Sequence, residues 1–304
     1  MVAEIAVVGS LNLDLVVPVE RVPLVGETVL GGDLVRNCGG KGGNQATAAA
    51  RLGRRVAMVA RVGDDDAAEI LRRGLDTDEI DVSRVVGTPG VPSGVALIAV
   101  EAAGDNAIVV APGANARLRP EDVRVDAVAT ASVVLVQLEI PIETVEAAVA
   151  HATGTVVCNP APAPPGGLPA SLLGALDVLV PNETELYTLA GAPAPDGDAP
   201  GIEALDEMAR GLGAHHVVVT LGARGALVVT PDVTELVPAP TVRPVDTTAA
   251  GDSFCGGLAD RLAAGEDLLT ATRWAVRVGA ATTLRAGAQP SLPTPEEVER
   301  LLAP

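Results

Sequence analysis

Hydrophobic and polar positions fall into two alternating rhythms along the chain. Short valine-rich runs are apolar almost without interruption: EIAVV (4–8), VAMVA (56–60), VVLVQ (133–137), TVVCN (155–159), DVLVP (177–181) and HVVVTLG (216–222). Strands covered on both faces read this way, because neither face is left for water. Between them lie Ala- and Leu-rich stretches with helical spacing, at 44–52, 66–74, 142–152, 183–190, 202–211, 251–264, 267–284 and 295–302. The alternation predicts an α/β fold with a mostly parallel central sheet flanked by helices.

Two segments break the rhythm. Residues 15–36 (LVVPVERVPLVGETVLGGDLVR) and 93–111 (SGVALIAVEAAGDNAIVVA) lack helical periodicity. They read as hairpin strands joined by glycine-containing turns, forming a small β-sheet that projects as a lid or an interface. The proline-rich PAPAPPGGLP at 160–169 is too short for a domain linker. It reads as a loop after the strand ending at Asn159. No internal repeat is visible, and residues 1–304 are expected to form a single domain carrying the two lid segments.

Composition narrows the partners. Hydrophobic residues make up 48%, yet there is one Phe, one Tyr and one Trp, so the core must be Val, Leu, Ile and Ala. A net charge of −18 argues against nucleic acid and against anionic membrane surfaces, which demand Lys and Arg. A small anionic substrate stays possible, since backbone N–H groups and one or two basic residues can hold a nucleotide. No apolar run approaches a membrane span, and the N-terminus lacks a basic, cleavable leader. Three scattered cysteines give neither a disulfide framework nor zinc spacing, and three histidines make a histidine metal site unexpected. A reduced, cytoplasmic protein is the expectation.

Chemistry concentrates at strand ends and glycine-rich loops. In DTTAAGDSF (246–254), Asp252 stands at the first turn of a helix behind small residues. Two readings are open. Asp is favoured at a helix N-terminus by the dipole and the unpaired N–H groups. Alternatively, the small residues let a phosphate approach those N–H groups, with the acid taking a proton from an attacking hydroxyl. GSLNLD places Asn12 and Asp14 two apart, facing one way in an extended segment. They suit polyol hydroxyls, or an Asx turn. NCGGKGGNQA (37–46) sets Lys41 among four glycines, with Asn44 in the first helical turn; it is neither a Walker A loop nor GxGxxG. QLEIP puts Glu139 after an apolar strand, where open α/β sheets bind ligands. In PNETE, Asn182 reads as a helix cap, and TLGARG (220–225) as a tight turn able to border a nucleotide.

Taken in order, GSLNLD, GGKGGNQA, QLE, NPAPA, PNETE, TLGARG, VDTTAAGDSF and GAQPS closely resemble the ribokinase family of carbohydrate kinases, also called the phosphofructokinase-B family. The resemblance runs from about residue 5 to about residue 291. GSLNLD, QLE and GAQPS look most like its ribose-phosphorylating members, which implies ATP-dependent phosphorylation of the 5-hydroxyl of D-ribose. By resemblance, Asp252 is the base for the sugar hydroxyl, and Ala249, Ala250 and Gly251 form the anion hole. Asn12, Asp14, Gly40, Lys41, Asn44 and Glu139 match the sugar site. Asn182 and the turn Thr220, Leu221, Gly222, Ala223, Arg224 and Gly225, with Gly251, match the nucleotide site. Asp246, Thr248, Thr282, Arg285, Gly287 and Ser291 match a potassium-binding loop, several through backbone carbonyls. Magnesium would arrive with ATP, held largely by phosphates and water. The lid segments match a homodimer interface. Two positions depart from the pattern: Ala99 lies where the lid often carries a bulky aromatic, and Val276 where a polar residue often borders the nucleotide.

Other readings remain in play. Another pentose, a hexose or a nucleoside is an alternative acceptor. Gly251-Asp252-Ser253 superficially matches a serine hydrolase motif, which would need a histidine partner. A non-catalytic sugar-binding module would be expected to lack the acid at 252.

Overall fold

The computed structural model describes residues 3–101, 106–193 and 200–303. Nine strands build the main sheet, in the spatial order Thr234–Val237, Ala226–Val229, His216–Thr220, Val178–Leu179, Thr155–Asn159, Val133–Gln137, Ile5–Val8, Val56–Val62 and Asp81–Gly87. Pairing is parallel from His216–Thr220 to Asp81–Gly87, and antiparallel only at the edge hairpin beyond it.

The uninterrupted apolar runs have a direct cause in this sheet. Ile5 and Val7 face one hydrophobic cluster, while Ala6 and Val8 face another on the opposite side. Helices Lys41–Arg51, Asp66–Thr77, Ala250–Ala263 and Leu268–Thr282 contribute to the first cluster. Ile142–His151, Glu183–Ala190 and Ile202–Gly211 contribute to the second. Helices on both faces leave the central strands no polar side, as two-sided burial requires.

Small residues let two of these helices approach closely. A Cβ on Gly256 would lie 2.6 Å from the Ala48 Cβ and 3.1 Å from the Ala49 nitrogen. The Ala/Gly surfaces of Lys41–Arg51 and Ala250–Ala263 therefore meet nearly backbone to backbone. That approach brings Asn44 and Gln45 of one helix against Asp252 of the other.

The second sheet has four strands, ordered Val35–Gly39, Asn12–Val19, Gly94–Glu101 and Asn106–Ala111. Asn12–Val19 pairs antiparallel with Val35–Gly39 and parallel with Gly94–Glu101. Gly94–Glu101 and Asn106–Ala111 form an antiparallel hairpin, and residues 102–105 of the predicted segment 93–111 lie outside the described residues. This sheet is the small lid beside the main body. Its first strand starts at Asn12 rather than 15, and its partner runs on to Gly39 rather than stopping at 36. Leu97, Ile108, Val109 and Val110 on it are exposed.

Candidate active site

Asp252 stands in the first turn of Ala250–Ala263 and is 7% exposed. Asn44 Nδ2 donates to its Oδ2 at 2.9 Å, and Gln45 Nε2 to its Oδ1 at 3.2 Å. Burial pushes the carboxyl up from its ordinary range; Lys41, Asn44 and Gln45 pull against that, and Glu139 adds to it. Before it, Ala249 caps the helix in the left-handed region at φ 60°. A non-glycine residue there costs of order 1–3 kcal/mol and points to a functional constraint. The Ala250 N–H bonds the Thr247 carbonyl at 3.2 Å, whereas the Gly251 and Asp252 N–H groups have no partner among the described residues. Gly251 is exposed, with open space where a Cβ would stand.

Ser253, the nucleophile of the hydrolase reading, is fully buried. Its Oγ donates to the Ala250 carbonyl and accepts from Thr282 Oγ1, so it is a helix-packing hydroxyl with no histidine partner.

Acidic and amide groups gather beside Asp252. Asn12 and Asp14 share one face at the root of the lid strand and are buried. Burial, then the Glu139 and Asp252 charges, raise the Asp14 carboxyl to about 7. Asn115, from the turn Gly113–Arg117, donates to Asn12 Oδ1 at 2.8 Å. Gly40 takes φ 84°, and a Cβ there would meet the Asn12 nitrogen at 2.7 Å, so both backbone and space demand glycine. Glu139 Oε2 accepts from the Lys41 N–H at 3.1 Å and from Ser10 Oγ, anchoring the N-terminus of Lys41–Arg51 with a negative charge. Burial works against the Lys41 charge, but Asp252, Glu139 and Glu185 outweigh it and hold its pKa above the ordinary value. Asn44 Oδ1 is buried and has no partner.

A polar pocket of about 230 Å³ opens at Asp252. Lys41, Asn159, Asn182, Glu185, Thr247 and Gly251 line it. Asn182 is a true cap: its Oδ1 accepts from the Glu185 N–H, while Glu185 accepts from the Asn182 N–H, both at 2.8 Å. Burial raises the Glu185 carboxyl despite that bond and Lys41. Through Thr220, Thr247 and Gly251 the pocket joins a larger apolar cleft of about 380 Å³, walled by Ala239, Val242, Phe254 and Val276.

The Thr220–Gly225 turn borders that cleft only in part. Thr220, Gly222, Ala223 and Gly225 line it. Leu221 instead points into the core, and the Arg224 guanidinium turns to Glu183 and the Pro200 carbonyl. Gly225 takes φ 100°, and a Cβ there would strike the Val237 carbonyl.

The cation-loop residues cluster through Asp246. Its Oδ1 accepts from the Thr248 N–H at 2.9 Å and its Oδ2 from the Gly287 N–H at 2.8 Å. Burial opposes ionisation, but these bonds prevail and hold its carboxyl below the ordinary value. The Thr283 carbonyl accepts from the Val245 and Asp246 N–H groups, tying the loop to the helix end. Three side chains are committed elsewhere: Thr282 to Ser253 and Val278, Arg285 to Glu297, and Ser291 to the Ala288 carbonyl. Among the described residues no group of three His, Cys, Asp or Glu side chains is placed to hold a metal ion.

Sequence reasoning assigned no role to Gln45, Asn115, Gln137, Asn159 or Glu185. Gln45 lay in plain view within GGKGGNQA, next to Asn44. Glu185 carried a local signal too, as the capping-box partner three residues after Asn182 in PNETE. Asn115, Gln137 and Asn159 have partners distant in sequence.

Relatives and solved structures carry the same frame. The pfkB family carbohydrate kinase model matches residues 2–295. The ribokinase of Staphylococcus aureus is 36% identical over 99% of this chain and 100% of its own length. The deoxyribokinase of Salmonella typhimurium is 37% identical, with 99% of each chain covered. A bifunctional ribokinase/ribose-5-phosphate isomerase A of Fructilactobacillus sanfranciscensis is 38% identical over 97% of this chain, which spans 55% of that protein. The structure of Arabidopsis thaliana ribokinase complexed with ribose and ATP superposes with a TM-score of 0.86 at 30% identity, covering 100% of this chain and 99% of that one. The unpaired N–H groups at a strained helix start, the buried acid beside them and the match along nearly the whole length lead to one conclusion: the chain belongs to the pfkB family of carbohydrate kinases, enzymes that transfer a phosphoryl group to a sugar hydroxyl.

Proposed function

We propose that the protein transfers the γ-phosphoryl group of ATP to the 5-hydroxyl of D-ribose. The observation that carries this reading is the position of Asp252, in the polar pocket and next to Gly251, whose unpaired N–H stands where that pocket joins the apolar cleft. Phosphoryl transfer needs an oriented nucleophile and charge stabilisation more than covalent chemistry.

The acceptor lies among Asn12, Asp14, Gly40, Lys41, Asn44 and Glu139, and the orphaned Asn44 Oδ1 accepts from one of its hydroxyls. Asp14, whose carboxyl is raised to about 7 by burial and by the Glu139 and Asp252 charges, bonds a sugar hydroxyl. Asp252 takes the proton of the attacking hydroxyl; burial raises its carboxyl above the ordinary range, which strengthens it as a proton acceptor. The hydroxyl oxygen then bonds the γ-phosphorus as the bond to the ADP oxygen breaks. The helix start, equivalent to roughly half a positive charge, and the unpaired N–H groups of the Ala249–Gly251 loop, Gly251 foremost, stabilise the equatorial oxygens. The nucleotide base lies in the apolar cleft, with Thr220–Gly225 along one wall and Asn182 at the phosphates.

Oxygen donors in the pocket, Glu185 and Asn182, fit a magnesium ion that ATP phosphates and water mostly ligate. Asp246 fits a monovalent cation: the Thr248 hydroxyl and the Thr248 and Gly287 N–H groups favour its ionised form, and backbone carbonyls of the loop would complete the site. A bound potassium ion would supply positive charge that rigidifies the anion-hole loop. The exposed apolar lid face suits a second copy of the chain, giving a homodimer. We read the chain as one domain, acting in the cytoplasm; no helix among the described residues is long and apolar enough to cross a membrane.

The test is ADP release with purified protein, magnesium-ATP and a panel of ribose, deoxyribose, fructose and adenosine. Ribose is expected to give the highest kcat/KM. The deoxyribokinase relative makes deoxyribose the informative competitor. No turnover with ribose while another acceptor works overturns the substrate assignment.

A further inference from the structure

Beneath Asp252 runs a chain of buried amides that the reaction described above does not use. Gln45 is fully buried. Its Nε2 donates to Asp252 Oδ1 and to Asn159 Oδ1, each at 3.2 Å, and its Oε1 accepts from Gln137 Nε2 at 2.6 Å. The orientation of these amides is set from the protein interior. Asn159 Nδ2 donates to the Val180 carbonyl at 3.0 Å, and a carbonyl only accepts. Asn159 must therefore turn its oxygen to Gln45, and Gln45 must answer with its NH2 group. The same NH2 group faces Asp252. Gln137 secures the other end, at the cost of leaving its own Oε1 buried without a partner. The residue just after the strand Ile5–Val8 is a glycine that makes room: a Cβ on Gly9 would lie 1.9 Å from the Gln137 oxygen. A reversed Gln45 would set oxygen against both Asp252 and Asn159, and NH2 against NH2 at Gln137.

We propose that Gln45 is the positioning residue for Asp252, held NH2-first by Gln137 and Asn159 so that the carboxylate is fixed in rotation and favoured in its ionised form. The rotation of a carboxyl about its last bond is otherwise broad. With Asn44 on Oδ2 and Gln45 on Oδ1, the carboxylate plane is pinned at both oxygens. Donors to an ionised carboxylate also oppose the effect of burial, which is the main influence raising this group. The link to turnover rests on the kinase reading above; the link to the Asp252 titration does not.

Gln45→Met keeps length and removes the donor. The acid limb of the kcat–pH profile is expected to move up by about one pH unit, and the plateau to fall about tenfold, with the KM for ATP unchanged. The Asp252 carboxyl is also read directly, without nucleotide or acceptor, by infrared difference against the matching Asp252→Asn protein across pH. Its titration midpoint is expected to rise in Gln45→Met. A risen midpoint with no sugar phosphorylated by the wild type sinks the kinase reading and leaves the positioning role standing. An unmoved midpoint overturns the role, even if turnover falls. Gln137→Met keeps the Gln45 donors but frees one anchor, and a smaller rise is expected. It carries the test if Gln45→Met fails to fold, and no rise in it then overturns the proposal.

Discussion

Asn115 holds Asn12 by its side-chain oxygen: the Asn115 Nδ2 donates to Asn12 Oδ1 at 2.8 Å and also to the Leu11 carbonyl, while its own Oδ1 accepts from the Leu11 N–H. Three bonds from one buried amide fix both the strand end and the sense of the Asn12 side chain. Asn12 must then present its NH2 group as a donor toward the acceptor site. Asn115→Asp keeps the acceptor for Leu11 but removes the donor to Asn12. The prediction is a rise of about tenfold in the KM for the sugar, the scale of one lost hydrogen bond. The KM for ATP should hold. Equal changes in both constants would point to general disorder rather than a misaligned Asn12.

Asp252→Asn separates helix chemistry from catalysis. An acid that only favours the helix dipole contributes about 0.3–1 kcal/mol of stability and little to turnover. A general base lost should lower kcat by roughly 10²–10⁴-fold, with nucleotide binding kept. Near-normal turnover in the folded variant would return Asp252 to its structural role. Turnover, ATP affinity and melting temperature measured together decide it.

The Asp14 carboxyl gives a pH-dependent stability prediction. Its folded pKa, about 7, lies above the ordinary 3.8. The folded state therefore holds the proton more tightly, and stability contributed by the protonated form is lost as pH rises through about 7. Asp14→Asn should raise the melting temperature at pH 8, and the gain should shrink toward zero as the pH falls to about 4. A gain independent of pH would mean that the carboxyl is not the titrating group. Sugar affinity should fall in the same variant.

Asp246→Ala should abolish activation by potassium while preserving the fold. The comparison is turnover in potassium, sodium and tetramethylammonium salts at constant ionic strength. Equal wild-type activity in all three would remove the monovalent site from the account. Loss of activity in Asp246→Ala without any change in the potassium response would assign Asp246 to loop structure alone.

The exposed Leu97, Ile108, Val109 and Val110 lead to a prediction of mass. Light scattering at micromolar concentration should give twice the 30.5 kDa of the chain. Val109→Lys, a charge placed on the face Val109 shares with its cross-strand partner Leu97, should shift the mass toward the monomer. A monomer mass for the wild type would reject the paired lid.

Much of the main body could be read from the sequence because burial imposes periodicity. VVLVQ and TVVCN match strands Val133–Gln137 and Thr155–Asn159, and helices Glu183–Ala190 and Ile202–Gly211 fall where the spacing placed them. DVLVP shrank to Val178–Leu179, since its last residues lead into the Asn182 cap. Asp81–Gly87 escaped notice: as an edge strand it is largely exposed, with only Val85 buried, so no apolar run marks it. In the site, Asp252 and Asn44 were legible because glycine-rich loops flag them. Asn115 and Gln137 were not. A buried amide looks like any surface amide until folding brings its partner across 104 or 92 positions of chain.

The strand Asn12–Val19 begins at the buried Asn12 and Asp14 and runs out through the lid sheet, which makes it a lever with its fulcrum at the proposed acceptor site. Its length is about 23 Å at roughly 3.3 Å per residue. A rotation of about 10° about Asn12 carries the Val19 end through about 4 Å, yet displaces Asp14 by only about 1 Å. A swing of the far end would thus be geared down more than threefold before it reaches Asp14, and further still at Asn12. In the proposed reading, the acceptor contacts would stay close to assembled through such a rotation, and access to the site would be governed by clearance at the rim rather than by making and breaking the contacts themselves.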